Sequence, residues 1–148
     1  MKTYQLQTEL WLPRERTEVF GFFADANNLQ AITPPWLHFS VTTPSPIHMA
    51  AGTQIDYRLR LHGLPIEWRS EITHWDPLQK FVDEQRRGPY RLWVHEHTFT
   101  EIGGGTLVAD TVHYALRFGG LVHKLLVAPD LRRIFDYRQE KLAQLLGA

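Results

Sequence analysis

The sequence predicts an α+β fold: one antiparallel sheet curled around a single long C-terminal helix, with a short helix pair after the first strand. Three observations predict it. The chain opens on a strand pattern followed at once by helical spacing. Alternating segments separated only by short turns then fill residues 37–118. An apolar stripe at helical spacing closes the chain. Short connections join only antiparallel neighbours. Such a sheet has one face to cover, and one amphipathic helix can lie across it.

Residues 3–12 alternate, with Tyr4, Leu6, Thr8, Leu10 and Leu12 against Thr3, Gln5, Gln7, Glu9 and Trp11, the mark of a half-buried strand. Pro13 ends it. From Arg14 to Ala24 the positions Val19, Phe20, Phe22 and Phe23 recur at helical spacing. Asp25 to Asn28 break that helix, and Leu29 to Ile32 form a second short turn. Pro34 and Pro35 then impose extended backbone.

Leu37–Thr43 reads as a short strand. Thr53–Leu61 places Ile55, Tyr57, Leu59 and Leu61 on one face and Gln54, Asp56, Arg58 and Arg60 on the other. HGLP at 62–65 is a hairpin signal, and Ile66–Trp75 returns with Ile66, Trp68, Ser70 and Ile72 sharing a face. Lys80–Arg86 follows the Asp76–Pro77 turn. Arg91–Ile102 follows Gly88–Pro89, and Thr106–Phe118 follows the glycines at 103–105. A helix is expected over about 129–146, with Pro129 as a first helical residue and Leu131, Ile134, Phe135, Leu142, Leu145 and Leu146 on its apolar stripe. Residues 121–127 read as a separate helical piece or a mobile lid.

Composition narrows the function. The 148 residues suit one domain, residues 1–148, and show no repeat or linker. Sixteen Lys plus Arg balance sixteen Asp plus Glu, so no overall field draws nucleic acid or an anionic surface. Without cysteine there are no disulfides, thiolate metal sites or Cys nucleophiles. The opening MKTYQLQTEL has no apolar run of the signal-peptide kind, and no stretch approaches the ~20 apolar residues of a membrane span. A cytoplasmic protein is expected. Rings make up 12% of the chain, enough both to fill a core and to line a concave site.

The segment GPYRLWVHEHTF, residues 88–99, carries the chemistry. As a strand it aligns Trp93, His95, His97 and Phe99 on one face. The two histidines lie ~6.5–7 Å apart at Cα and could share a metal. HxH alone supplies two ligands, with Asp83, Gln85 and Asp110 as conceivable additions, and the expectation is no metal and no cofactor. Asp110 stands in an apolar row with Val108, Val112, Tyr114 and Leu116, so its carboxyl needs a partner. A His–Asp couple follows. It is either a general base held in one tautomer or a structural pair that orients a ligand. Which face of residues 81–86 points inward is left open. The alternating charges of Asp56, Arg58, Arg60, Glu67, Arg69 and Glu71 read as a solvated outer face. No P-loop, dinucleotide fingerprint, G-x-S-x-G or HExxH is present.

The stretches 12–36, 52–77, 81–99, 104–116 and 134–142 together resemble the START/Bet v 1-like superfamily, also called SRPBCC, and within it the bacterial polyketide cyclase/dehydrase-like branch. The resemblance implies a helix-grip fold: a seven-stranded antiparallel sheet around the C-terminal helix, with a cavity between. It implies binding of a small hydrophobic or aromatic molecule, such as a lipid, polyketide-like or isoprenoid compound. The expected ligand-binding residues are Trp36, Tyr57, Trp68, Trp93, His95, His97, Phe99, Asp110 and Tyr114. One alternative is a cyclase, dehydratase or isomerase using His97, His95 and Asp110. Another is a protein-interaction module or homodimer with a collapsed cavity. Leu121, Leu125 and Leu126 are expected either to close the cavity mouth or to form a dimer contact.

Overall fold

The computed structural model describes residues 1–147. Seven strands form one antiparallel sheet in the order β1-β7-β6-β5-β4-β3-β2. They are β1 (Tyr4–Leu12), β2 (Ser40–Val41), β3 (Gln54–Leu61), β4 (Leu64–Asp76), β5 (Lys80–Arg87), β6 (Leu92–Ile102) and β7 (Gly105–Ala115). A helix at Arg16–Phe23 and 3-10 turns at Ala26–Ile32 and Pro35–Leu37 separate β1 from β2. The first strand pairs with the last, Leu6 opposite Val112 and Thr8 opposite Asp110. No helix among the described residues is long and apolar enough to cross a membrane.

Local backbone chemistry moves several expected boundaries. The strand expected at 37–43 shrinks to Ser40–Val41, because Pro35 opens a 3-10 turn that takes Leu37. β4 begins at Leu64 rather than Ile66. His62 (φ 50°) and Gly63 (φ 80°) alone make the turn, and two left-handed residues are what a tight hairpin requires. Gly103 (φ 60°) and Gly104 (φ 77°) do the same between β6 and β7, which starts at Gly105 and stops at Ala115 rather than Phe118.

The largest correction concerns residues 121–127. They are neither a separate piece nor a lid. Helical backbone runs without a break from Gly120–Val122 through a π-helical turn at His123–Val127 into Ala128–Leu146. Pro129 is therefore internal. Proline has no N–H to give and crowds the carbonyl four residues back. The wide turn just upstream, closed by the Ala128 N–H to the His123 carbonyl, accommodates it. The buried stripe of the long helix is Leu131, Phe135, Arg138, Leu142 and Leu146.

That helix lies across the inner face of the sheet, and one end of the space between them is solid. Phe20 and Phe23 of the first helix push in beside Phe81, Phe99, Ile72, Val108, Leu142 and Leu146. Their rings meet edge to face, Phe20 on Phe99 at 5.1 Å and Phe23 on Phe99 at 5.3 Å. Each such side chain contributes ~1.5–3 kcal/mol by leaving water. Every strand residue in this cluster sits on the inward parity of its strand, which is why the register is well determined.

Candidate binding site

Toward the other end the sheet and helix do not fill the space. A cavity of about 180 Å³ remains. Its walls are mainly apolar: Leu59, Leu61, Tyr57 and Trp68 from β3 and β4, Trp93 from β6, and Leu131, Ile134 and Phe135 from the helix. Trp68 and Trp93 stand perpendicular, 5.4 Å apart, and Tyr90 leans on Trp93 at 4.8 Å. Rigid rings propped edge to face cannot collapse into a void as aliphatic chains can. The Trp68 indole N–H donates to Ser70 Oγ (3.0 Å) and so fixes that ring. Tyr90 is held by a two-way brace: its N–H donates to Gln85 Oε1 (3.0 Å), and Gln85 Nε2 donates to its carbonyl (2.8 Å). A side chain at Gly88 would put Cβ 2.5 Å from that Gln85 oxygen, so the turn needs glycine. Leu61 and Ile134, both partly exposed, stand where the hollow meets solvent. Beside them His62 Nε2 bonds the Asp130 carboxylate and ties the β3–β4 turn to the helix.

The inner end is polar. Asp83, His95, His97 and Arg138 reach it from β5, β6 and the helix. Register explains the convergence: Asp83 pairs with His95, and His97 pairs with Asp110. His95 Nε2 donates to Asp110 Oδ1 (2.8 Å) and His97 Nε2 to Asp83 Oδ2 (2.7 Å). An ionised carboxylate only accepts, so these contacts place a proton on each Nε2. Arg138 Nη2 (3.3 Å) donates to Asp110 Oδ1, and the Thr8 hydroxyl (3.3 Å) to its Oδ2. The imidazoles stack at 3.7 Å, and Phe81 covers the outer face of His97 at 4.1 Å. His97 Nδ1 lies 3.3 Å from Asp110 Oδ1 without the alignment of a hydrogen bond.

Burial and charge pull against each other here. Burial alone raises a carboxyl pKa, yet Arg138 and the imidazoles hold Asp110 well below the ordinary range. Asp83 is also held low, by His97 and His95 against the same burial. Burial opposes a charged His97, but the two carboxylates outweigh it and raise its pKa. His95 is lowered, first by burial and then by its charged neighbour His97. Two carboxylates thus face one guanidinium and two imidazoles whose pKa values are pushed apart, His97 up and His95 down. Burial, with Asp83 close by, also raises the Tyr57 phenol.

Of the residues expected at a binding site, Tyr57, Trp68, Trp93, His95 and His97 line the cavity. Asp110 stands behind them, bonded to His95. Three do not reach it. Phe99 belongs to the solid end, because its place on β6 lies over the first helix. Tyr114 is buried beside Trp93, bonded to His123 and packed on Tyr4. Trp36 is 47% exposed, its edge on Tyr137 and the Arg133 guanidinium over it, since the 3-10 turn points it outward. Leu121, Leu125 and Leu126 are exposed and line no part of the cavity. Sequence reasoning missed Arg138, although a charged residue on the buried stripe of a helix is itself a signal of a buried acid opposite. It left Asp83 undecided because FVDEQRR carries polar side chains on both faces.

Residues 12–143 match the family described as polyketide cyclase / dehydrase and lipid transport. No curated protein sequence matches significantly. Solved structures share the fold at low identity. A Chromobacterium violaceum protein is 11% identical with a TM-score of 0.76 over 98% of this chain and 99% of its own. Ginseng major latex-like protein 151 from Panax ginseng is 11% identical with a TM-score of 0.72, covering 97% of each chain. A Thermus thermophilus protein is 21% identical with a TM-score of 0.67, over 96% of this chain and 99% of its own.

Proposed function

The chain belongs to the polyketide cyclase / dehydrase and lipid transport family, and from that premise we propose that it binds a small, ring-containing hydrophobic molecule between sheet and C-terminal helix. The observation that carries this is the cavity itself, apolar and aromatic on its walls with one polar end. Such a pattern orients a ligand: the walls supply contact area, and the few polar groups choose which end goes in first. Size narrows the class. An apolar cavity of ~150 Å³ takes one benzene, and this one measures about 180 Å³. One ring, or one ring with a short substituent, fits better than a long acyl chain. At the inner end, His95 and Asp83 offer nitrogen and oxygen acceptors to a hydroxyl.

One observation favours a second reading. His95 and Asp110 form a buried couple at 2.8 Å whose imidazole borders the cavity, the arrangement of a general base held in one tautomer. In that reading the protein is a cyclase-, dehydratase- or isomerase-type enzyme acting beside a carbonyl.

Native mass spectrometry of freshly purified protein, then denaturing extraction, tests the binding reading. A discrete organic mass that is released on denaturation supports it and identifies the class. A bare chain that also takes up no aromatic alcohol in a calorimetric screen sinks it. His95→Gln separates the two readings: a binder keeps its affinity to within a few fold, whereas an enzyme whose base is the His95–Asp110 couple loses turnover by ~10²–10⁴.

A further inference from the structure

We propose that Asp83, His95 and His97 form a binding site for a first-row divalent metal ion at the inner end of the cavity, with Asp110 orienting both imidazoles. This goes beyond the ligand-binding reading and stands independently of it. It also departs from the sequence expectation of no metal, which rested on HxH being a weak motif with no cysteine or further histidine in register to serve as a third ligand. β5 supplies one, directly opposite His95.

The three residues each bring a ligand atom within 4.8 Å of the others. His97 Nε2 is 2.7 Å and His95 Nδ1 4.0 Å from Asp83 Oδ2. Atoms bound at ~2.1 Å to one ion lie ~3–3.5 Å apart, so small rotations of the side chains open one distance and close the other. All three ride on paired strands, which fixes their Cα positions.

The remaining nitrogens fit the same assignment. His95 Nε2 already gives its proton to Asp110, which leaves Nδ1 as its lone pair. His97 Nδ1 is buried, without a hydrogen-bond partner, and 3.3 Å from the same Asp110 oxygen. If His97 binds through Nε2, its one proton sits on Nδ1 and has Asp110 to receive it. One carboxylate behind two histidines is the outer shell that metal-bound imidazoles usually have. Arg138 offsets the charge of Asp110, and Asp83 meets the ion directly. Phe81 and Phe23 beside His97 exclude water from the rear.

Two imidazoles and one carboxylate, with no sulfur, suit Zn²⁺, Fe²⁺, Co²⁺ or Ni²⁺ better than Mg²⁺ or Ca²⁺. Three protein ligands leave at least one coordination position, and the cavity lies on that side. The ligand chemistry it implies is an oxygen donor that tolerates positive charge, such as a phenol, an enol or a carbonyl on the hydrophobic guest.

The test uses untagged full-length protein, stripped with chelator, dialysed and titrated with Co²⁺ alone. The expected result is one Co²⁺ per chain with visible d–d bands, displaced by one equivalent of Zn²⁺. Asp83→Asn and His97→Gln abolish the bands while circular dichroism stays native. Asp110→Asn keeps the bands and weakens affinity by ~10–100-fold. Folded wild-type protein that shows no bands at millimolar Co²⁺ overturns the proposal, and so does an Asp83→Asn variant that binds as wild type does, which would place the ion on surface histidines such as His74 or His113. The wild-type titration decides even where a variant fails to fold. Because no organic guest enters it, a negative result leaves the binding reading intact.

Discussion

The space between sheet and C-terminal helix is solid at one end and hollow at the other, although β4, β6 and the same helix serve both. Phe99 and Trp93 sit on one strand with the same parity, six residues apart. Phe99 is packed on Phe20 and Phe23, while Trp93 faces the cavity. The difference is what inserts from the side. The first helix drives two phenylalanines under the solid end. At the hollow end the 3-10 turns bring Leu29, Ile32 and Leu37 to the wall without filling the space, and its indoles and Tyr90 brace one another upright. The cavity is held open by stiff rings.

The contrast is strongest for two aromatic truncations. Phe20→Ala should cost ~3–5 kcal/mol in urea denaturation, because a buried ring leaves a cavity among well-packed neighbours. Trp68→Ala at the hollow end should cost only about 1–2 kcal/mol, being partly exposed already. It should nevertheless weaken guest binding by calorimetry far more than Phe20→Ala does in protein that remains folded. Equal losses of stability would show that the hollow end is packed in solution.

The border between the regions should be nearly as sensitive as the solid core. Asp110→Ala strips the partner from Arg138 and from His95 inside the protein, and breaking a buried pair in that way costs ~3–5 kcal/mol. A loss below ~1 kcal/mol would mean that water reaches the polar end freely. Filling the hollow should do the reverse. Ile134→Trp should hold stability or raise it by about 0.5–1 kcal/mol in the same denaturation assay, while removing guest uptake. Retained uptake would move the guest elsewhere.

The smallest effect belongs outside both regions. The Asp56–Arg69 pair on the outer face is exposed. Arg69 holds the Asp56 carboxyl below its usual pKa, mainly by a hydrogen bond. A depressed carboxyl pKa contributes stability above the ordinary aspartate range, near pH ~4, and loses it as pH falls through the folded-state value. Melting curves of wild type and Arg69→Ala from neutral to mildly acidic pH should nearly superimpose.

Much of this was legible beforehand, and the reasons are specific. Period-two alternation put Tyr57, Trp68, Trp93, His95, His97 and Asp110 on inward faces, and each is there. Where alternation is absent, as in FVDEQRR, the face of Asp83 could not be read. Depth along a strand is also invisible to parity. Phe99 and Tyr114 have the right face, but one lies over the first helix and the other beside His123. Pro129 misled because proline is commonest at helix starts, and only a π turn upstream lets it sit inside. Arg138 was overlooked although the 3.6-residue period places it squarely among buried positions.

Polar groups backed by Phe23 and Phe81 form the inner wall of the hollow, and partly exposed Leu61 and Ile134 stand on its lining toward solvent. A guest that enters past Leu61 and Ile134 with its polar end first leaves that way polar end last, and this doorway is then the place where residence time is set. The tie from His62 to Asp130 fastens the hairpin tip to the helix beside that doorway, so loosening it would speed exchange in both directions and leave the equilibrium affinity largely alone.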